Sequence, residues 1–246
     1  PTVIHEQNLH PGLANRLLSP YVDKIAVSFE ETIKFLPAKK TVYTGNPIRE
    51  ELKIVNLEET RKKFGFTKDK FTILIFGGSA GAHHINEVVV STLPSIAQLR
   101  EKLQVLHLTG EKDYSWIDEN YRLHKIQAKV LPYLEEMGLA YACADLVISR
   151  AGASTLAEIL ALRNPALLIP YPYATGRHQE LQAQYLSEKG CAYFISNADF
   201  SAPVFTNYIR DFLSHPERLK KVVSSIENLN LPPATKELAN LILSSV

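Results

Sequence analysis

The 246 residues carry 27 Lys and Arg against 26 Asp and Glu, with 46% apolar side chains and two cysteines. That length holds one large hydrophobic core or two modest ones. The near-zero net charge removes any broad field that would draw nucleic acid, and Cys143 and Cys191, isolated in apolar stretches, exclude a disulfide framework or a zinc site.

From the start, PTVIHEQN opens inside an apolar strand and without Met, so residues are expected ahead of Pro1. Short β-branched runs predict strands over Thr2–His5, Lys24–Ser28, Thr41–Thr44, Thr72–Phe76, Gln104–Leu108, Lys125–Val130, Asp145–Ser149, Ala166–Pro170 and Ala192–Ile195. Amphipathic spacing predicts helices over Gly12–Leu18, Leu57–Phe64, Ala82–Leu93, Tyr133–Ala142, Ala153–Leu162 and Gln179–Glu188, with helix alone after Ser201. The alternation is that of an α/β fold with parallel strands. A boundary is expected after GNPIR, where a polar stretch follows; its basic run, RKKFGFTKDK, reads as a solvated helix face and turn. No apolar run approaches the ~20 residues of a membrane-spanning helix, and no signal peptide opens the chain, so a cytoplasmic protein is expected.

Two strand-to-helix turns carry chemistry. In FGGSAGA, Gly77, Gly78 and Gly81 remove side chains so that backbone N–H groups can approach an anion at a helix N-terminus, with the Ser79 hydroxyl as a further donor. No Lys-Ser/Thr follows and GxGxxG is not matched, so neither an NTPase loop nor a standard dinucleotide site is supported. In SRAGASTLAE the design repeats: Ala151, Gly152 and Ala153, then Ser154 and Thr155 at a helix start. Two such termini in one sheet suit a diphosphate. Glu158, one turn further on, is placed either to accept from both hydroxyls of a ribose or to close a capping box with Thr155. After the strand ALLIPYP, His178, Gln179 and Gln182 suit sugar hydroxyls or a solvated loop. The adjacent His83 and His84 diverge around a helix and read as solvated first-turn residues. No Asp-x-Asp, HExxH or GxSxG occurs, so no metal or cofactor is expected.

The ordered set HEQN, GNPIR, GGSAGA, YLEEM, SRAGASTLAE and HQ resembles the MurG family of bacterial glycosyltransferases over nearly the whole chain. The resemblance implies two Rossmann-like domains in the B-type glycosyltransferase arrangement: residues 1–48 ending the acceptor domain, 49–229 forming the donor domain, and 230–246 packing back on the first. About one hundred residues of the first domain would be missing, with a catalytic histidine and the membrane-facing patch. The implied reaction is inverting transfer of N-acetylglucosamine from UDP-N-acetylglucosamine to undecaprenyl-diphosphate-linked muramoyl-pentapeptide (lipid I), giving lipid II, by an enzyme peripheral on the cytoplasmic face of the inner membrane. It also implies roles: Ser79 on the phosphate, Arg49 near the nucleotide, the Leu134 backbone reading uracil, Arg150, Ala153, Ser154 and Thr155 lining diphosphate and sugar, Glu158 on the ribose, Gln179 on the sugar, and Asn8 reaching in from the acceptor side. His5 and Glu6 are the only general-base candidates on that side. Ala80, Gln182 and the Arg163-Asn164 pair depart from the family pattern, and the first two bear on sugar recognition. A UDP-N-acetylglucosamine 2-epimerase, or a donor-binding half needing a partner chain, are the rival readings.

Overall fold

The computed structural model describes residues 1–78 and 81–245. The chain opens with β1 (Val3–Glu6), α1 (Leu13–Leu18), β2 (Lys24–Val27) and β3 (Thr41–Tyr43), a three-stranded parallel sheet in the order β1-β2-β3. After α2 (Leu57–Phe64) the alternation becomes regular: β4 (Phe71–Phe76), α3 (His83–Ile96), β5 (Leu103–Leu108), α4 (Tyr114–Leu123), β6 (Ala128–Leu131) and α5 (Met137–Cys143). Then come β7 (Leu146–Ser149), α6 (Ala153–Leu162), β8 (Ala166–Leu168), α7 (His178–Glu188) and β9 (Tyr193–Phe194). Three helices finish the chain, α8 (Ala202–Ser214), α9 (Glu217–Glu227) and α10 (Ala234–Leu243).

The second sheet is wholly parallel in the order β6-β5-β4-β7-β8-β9. Its strands read as continuous apolar runs because helices cover both faces. Along β4 the side chains alternate: Leu74 and Phe76 pack under α5, α6 and α7, whereas Ile73 and Ile75 pack under α3, α4 and α8. Strand order reverses between β4 and β7, so the helices after these two strands leave in opposite senses and a crevice opens at their carboxyl ends. Leu9 and Phe29 from the first sheet's loops join the core of the second, with Phe29 edge-on to Tyr185 at 5.9 Å. α10 returns to contact β2, and Gly45 lies against Pro232 and Ala234.

Three local departures from the predicted elements have simple causes. α4 is unforeseen because its buried stripe is only Ile117 and Tyr121 in an otherwise polar segment. β6 starts three residues late, since Lys125 takes a positive φ of 53° to close that helix. The helix expected from Tyr133 begins only at Met137, leaving YLEE as loop after Pro132. No helix among the described residues is long and apolar enough to cross a membrane.

One imidazole is buried in the second sheet. His107 on β5 is 0% exposed, 3.1 Å from the Tyr121 hydroxyl and 3.0 Å from Asn86 Oδ1. Burial drives its pKa from 6.5 down to about 3, so it folds neutral. A group lowered in this way gives full stability above its unfolded value and loses it as pH falls from 6.5 toward 3. Urea unfolding at pH 7 and pH 4.5 should show the parent losing about 2–3 kcal/mol more than His107→Gln. Parallel pH profiles would remove this assignment.

Candidate functional site

The pairing of Phe76 with Ser149 sets the turns after β4 and β7 side by side. The first turn doubles back on itself: a Cβ on Gly77 would stand 2.2 Å from the Ala82 Cβ. Gly78 and Gly81 have φ of +97° and +78°, and a Cβ on Gly81 would stand 2.3 Å from the Thr109 carbonyl oxygen. Ser79 and Ala80 lie outside the described residues. α3 opens after Ala82 and α6 after Gly152, neither with a side-chain cap. Among the described helices only α2 has one, from Asn56, so it is the placement of these two uncapped termini at adjacent strand ends that matters. Free first-turn N–H groups and a positive dipole end are the elements from which an anion site is built. Ala153, Ser154 and Thr155 are the first three residues of α6.

The capping box proposed for Thr155 and Glu158 does not form. The N-cap is Gly152, three residues before Thr155, and the Glu158 carboxylate lies in the second turn. There its Oε2 accepts a hydrogen bond from the Tyr141 hydroxyl at 2.8 Å. Tyr141 is 1% exposed, and burial, followed by the Glu158 charge, raises its pKa beyond the ordinary tyrosine range. Arg49 acts on Tyr141 in the opposite sense, which puts the guanidinium of GNPIR within electrostatic reach of the pair. Tyr141 was not foreseen as a site residue; its only signal is a hydroxyl within the apolar helix MGLAYAC.

Gln179 ties the site's turns together. Its Oε1 accepts from the backbone N–H of Ala151 at 3.2 Å and of Tyr171 at 2.9 Å. Both partners are donors, so the amide nitrogen is the group left for another acceptor. Arg150 uses Nη1 on the Ile169 and Pro170 carbonyls, at 3.1 and 2.9 Å, and on Asn197 Oδ1 at 2.6 Å. It lies 5.7 Å from the Tyr171 ring centre, and burial lowers its pKa to about 10, still charged at neutral pH. Much of its hydrogen bonding therefore goes to clamping the end of β8. His178 begins α7 with its Nδ1 buried and unpartnered among the described residues. Leu134 sits in the β6–α5 loop, beside a shallow groove lined by Phe64, Leu131 and Tyr133.

Across the cleft, the HEQN loop is organised by Glu6, which is 2% exposed. Its Oε1 accepts from the backbone and side-chain N–H groups of Asn8 at 2.8 and 3.0 Å. Its Oε2 accepts from Gly12 N and Asn15 Nδ2 at 2.8 and 2.9 Å. A carboxylate that accepts from four donors is a loop organiser. His5 is bonded to Ser28 Oγ at 3.1 Å, and desolvation lowers its pKa. Asn8 Oδ1 accepts from Gln182 Nε2 at 3.1 Å, bridging residues 174 apart. Between the sheets lies a cleft of about 930 Å³, whose walls include Gln7 and Asn46 on one side and Ala153, Leu156 and Tyr185 on the other. His83 and His84 diverge as expected, but both are partnered, with Asp113 and with the Asn197 carbonyl. Both cysteines are buried free thiols.

Residues 72–237 match the model of the glycosyltransferase family 28 C-terminal domain. The chain is 43% identical over 251 residues to the UDP-N-acetylglucosamine–N-acetylmuramyl-(pentapeptide) pyrophosphoryl-undecaprenol N-acetylglucosamine transferase of Halothermothrix orenii, covering 98% of this chain and 67% of that protein. The transferase of the same name from Thermodesulfovibrio yellowstonii is 42% identical over 222 residues, 90% of this chain and 61% of that protein. The crystal structure of Acinetobacter baumannii MurG superposes with a TM-score of 0.79 at 29% identity, over 99% of this chain and 68% of that one. The chain thus spans about two thirds of the length of its relatives. Its six-stranded half has the Rossmann-like form of the C-terminal domain in B-type glycosyltransferases. Identity above 40% across nearly all of its residues places the chain in the MurG family of UDP-N-acetylglucosamine-dependent glycosyltransferases.

Proposed function

We propose that this chain binds UDP-N-acetylglucosamine and takes part in inverting transfer of its sugar to lipid I, giving lipid II for peptidoglycan, at the cytoplasmic face of the inner membrane. Residues 49–229 are the donor side, with residues 1–48 and 230–246 on the acceptor side. The observation that carries this reading is the pair of uncapped helix N-termini at the β4/β7 switch, with Glu158 one turn beyond. In this reading the first turns of α3 and α6 receive the diphosphate, Glu158 the ribose hydroxyls and the Leu134 backbone the uracil edge. The Gln179 amide nitrogen and His178 meet the sugar, Arg49 lies near the nucleotide, and Asn8 faces the site from the first sheet.

The chemistry follows from that placement. An acceptor hydroxyl attacks the anomeric carbon on the face opposite UDP, the bond from that carbon to the phosphate oxygen breaks, and the electron pair leaves with UDP. Negative charge gathers on the diphosphate, where aligned N–H dipoles and the Arg150 charge stabilise it without reorganisation. The acceptor proton passes to a base that this chain's His5 and Glu6 are poorly placed to supply. The epimerase reading is less supported, because the relatives above 40% identity carry the transferase name.

Calorimetric titration with UDP-N-acetylglucosamine, UDP, ADP and NAD tests the reading. Binding confined to the uridine ligands and tightest for the N-acetyl sugar is expected. Equal binding of ADP would overturn it.

A further inference from the structure

Much of what holds the glycine turn lies outside it, in a chain of buried polar groups that the nucleotide reading does not use. Asn86, the fourth residue of α3, is 1% exposed. Its side chain faces the Thr109 carbonyl at 3.0 Å and Asp113 Oδ2 at 2.7 Å on one side, and His107 Nε2 at 3.0 Å on the other. The first two partners only accept, so Nδ2 must face them and Oδ1 must face the imidazole. His107 then carries its proton on Nε2 and accepts from the Tyr121 hydroxyl at Nδ1, 3.1 Å away. Every member has one possible orientation, and a chain of this kind is stiff. At its far end Asp113 lies 2.9 Å from His83 Nδ1, on the first residue of α3.

The chain reaches the turn through one atom. The Thr109 carbonyl oxygen that Asn86 grips is also the atom that would stand 2.3 Å from a Gly81 Cβ. Gly81 therefore lies flat on a carbonyl whose position Asn86 sets, while Asp113 holds the first residue of the helix that follows.

We propose that Asn86 and Asp113 are positioning residues for the donor's diphosphate: they fix Gly81, whose own N–H is taken by the Gly78 carbonyl at 3.0 Å, and with it the first turn of α3, so that the N–H groups of that helix turn point at the phosphate oxygens. The inference rests on the UDP-sugar reading. Its physical basis is that hydrogen bonds to charge weaken steeply with misalignment, so an offset of about 1 Å in the donor array loses much of their strength. Position and charge make opposite predictions here. Asp113 is an anion near an anion site, so its removal should tighten diphosphate binding if charge governs and loosen it if position does.

The test titrates UDP and uridine into the parent chain, Asn86→Ala and Asp113→Ala. UDP affinity should fall about tenfold in Asn86→Ala and several-fold in Asp113→Ala, with uridine affinity the same in all three. A merely structural role would not separate the two ligands, so equal losses of UDP and uridine overturn the proposal. So does unchanged or tighter UDP binding in Asp113→Ala. Should Asn86→Ala fail to fold, Asp113→Ala decides, since its side chain makes no cap hydrogen bond to α4. A parent that binds ADP as well as UDP would sink the uridine reading alone, and ADP against adenosine would then give the same comparison.

Discussion

Replacing Glu158 with Gln should weaken UDP binding by about 1.5–3 kcal/mol, roughly ten- to a hundredfold, the cost of losing hydrogen bonds to a charged group. The melting temperature should barely move. Tyr141 occupies only one carboxylate oxygen, at 2.8 Å, and Gln can still offer that hydroxyl a carbonyl oxygen. What the substitution removes is the charge and the second acceptor, the features that hold two ribose hydroxyls at once. Uridine diphosphate analogues lacking the ribose hydroxyls sharpen the test: they should bind the parent weakly and lose little more in the variant, as coupled groups do in a double-mutant cycle. Unchanged UDP affinity with a lowered melting temperature would make Glu158 a structural partner of Tyr141 and nothing more.

Gly81→Ala should damage both the turn and its ligand binding. Its φ of +78° costs a side-chain-bearing residue about 1–3 kcal/mol. Its Cβ would also stand 2.3 Å from the Thr109 carbonyl oxygen, which belongs to a paired backbone and cannot step aside. We expect melting to fall by roughly 5–10 °C and UDP binding to be lost. Gly190→Ala is the control. It has the same kind of backbone, with φ of +70°, but its Cβ would meet only the Ser225 hydroxyl at 3.2 Å, at the far end of α7. It should lose stability and keep UDP affinity. Equal loss of UDP binding in both variants would show that the turn's geometry has no special bearing on the ligand.

The HEQN loop adds a link between the two halves. The Glu6 carboxylate fixes the Asn8 amide, which presents Oδ1 to Gln182 Nε2. Gln182 is 1% exposed, and its own Oε1 has no partner among the described residues. In the proposed function this contact spans the cleft beside the sugar, at a position where the chain departs from the family's usual asparagine.

Most of the segments that become strands and helices were legible in the sequence alone. Parallel strands buried on both faces must be apolar along most of their length, and β4, β7 and β8 are visible as such runs. The glycines of FGGSAGA were legible for a related reason: a left-handed backbone and a fold-back closer than a Cβ allows leave no other residue type. α4 was missed because two buried residues make too thin a stripe to stand out. The tertiary structure alone decided what each polar side chain does. Glu158 makes no cap and accepts instead from Tyr141, 17 residues earlier and on another helix. Arg150, Gln179 and Asn86 find partners 19 to 47, 8 to 28 and 21 to 27 residues away. Those partners arrive through strand order, above all the β4-β7 adjacency that sets two turns together. Periodicity encodes which face of an element is buried, but the neighbour that buries it is chosen by the packing of the whole sheet.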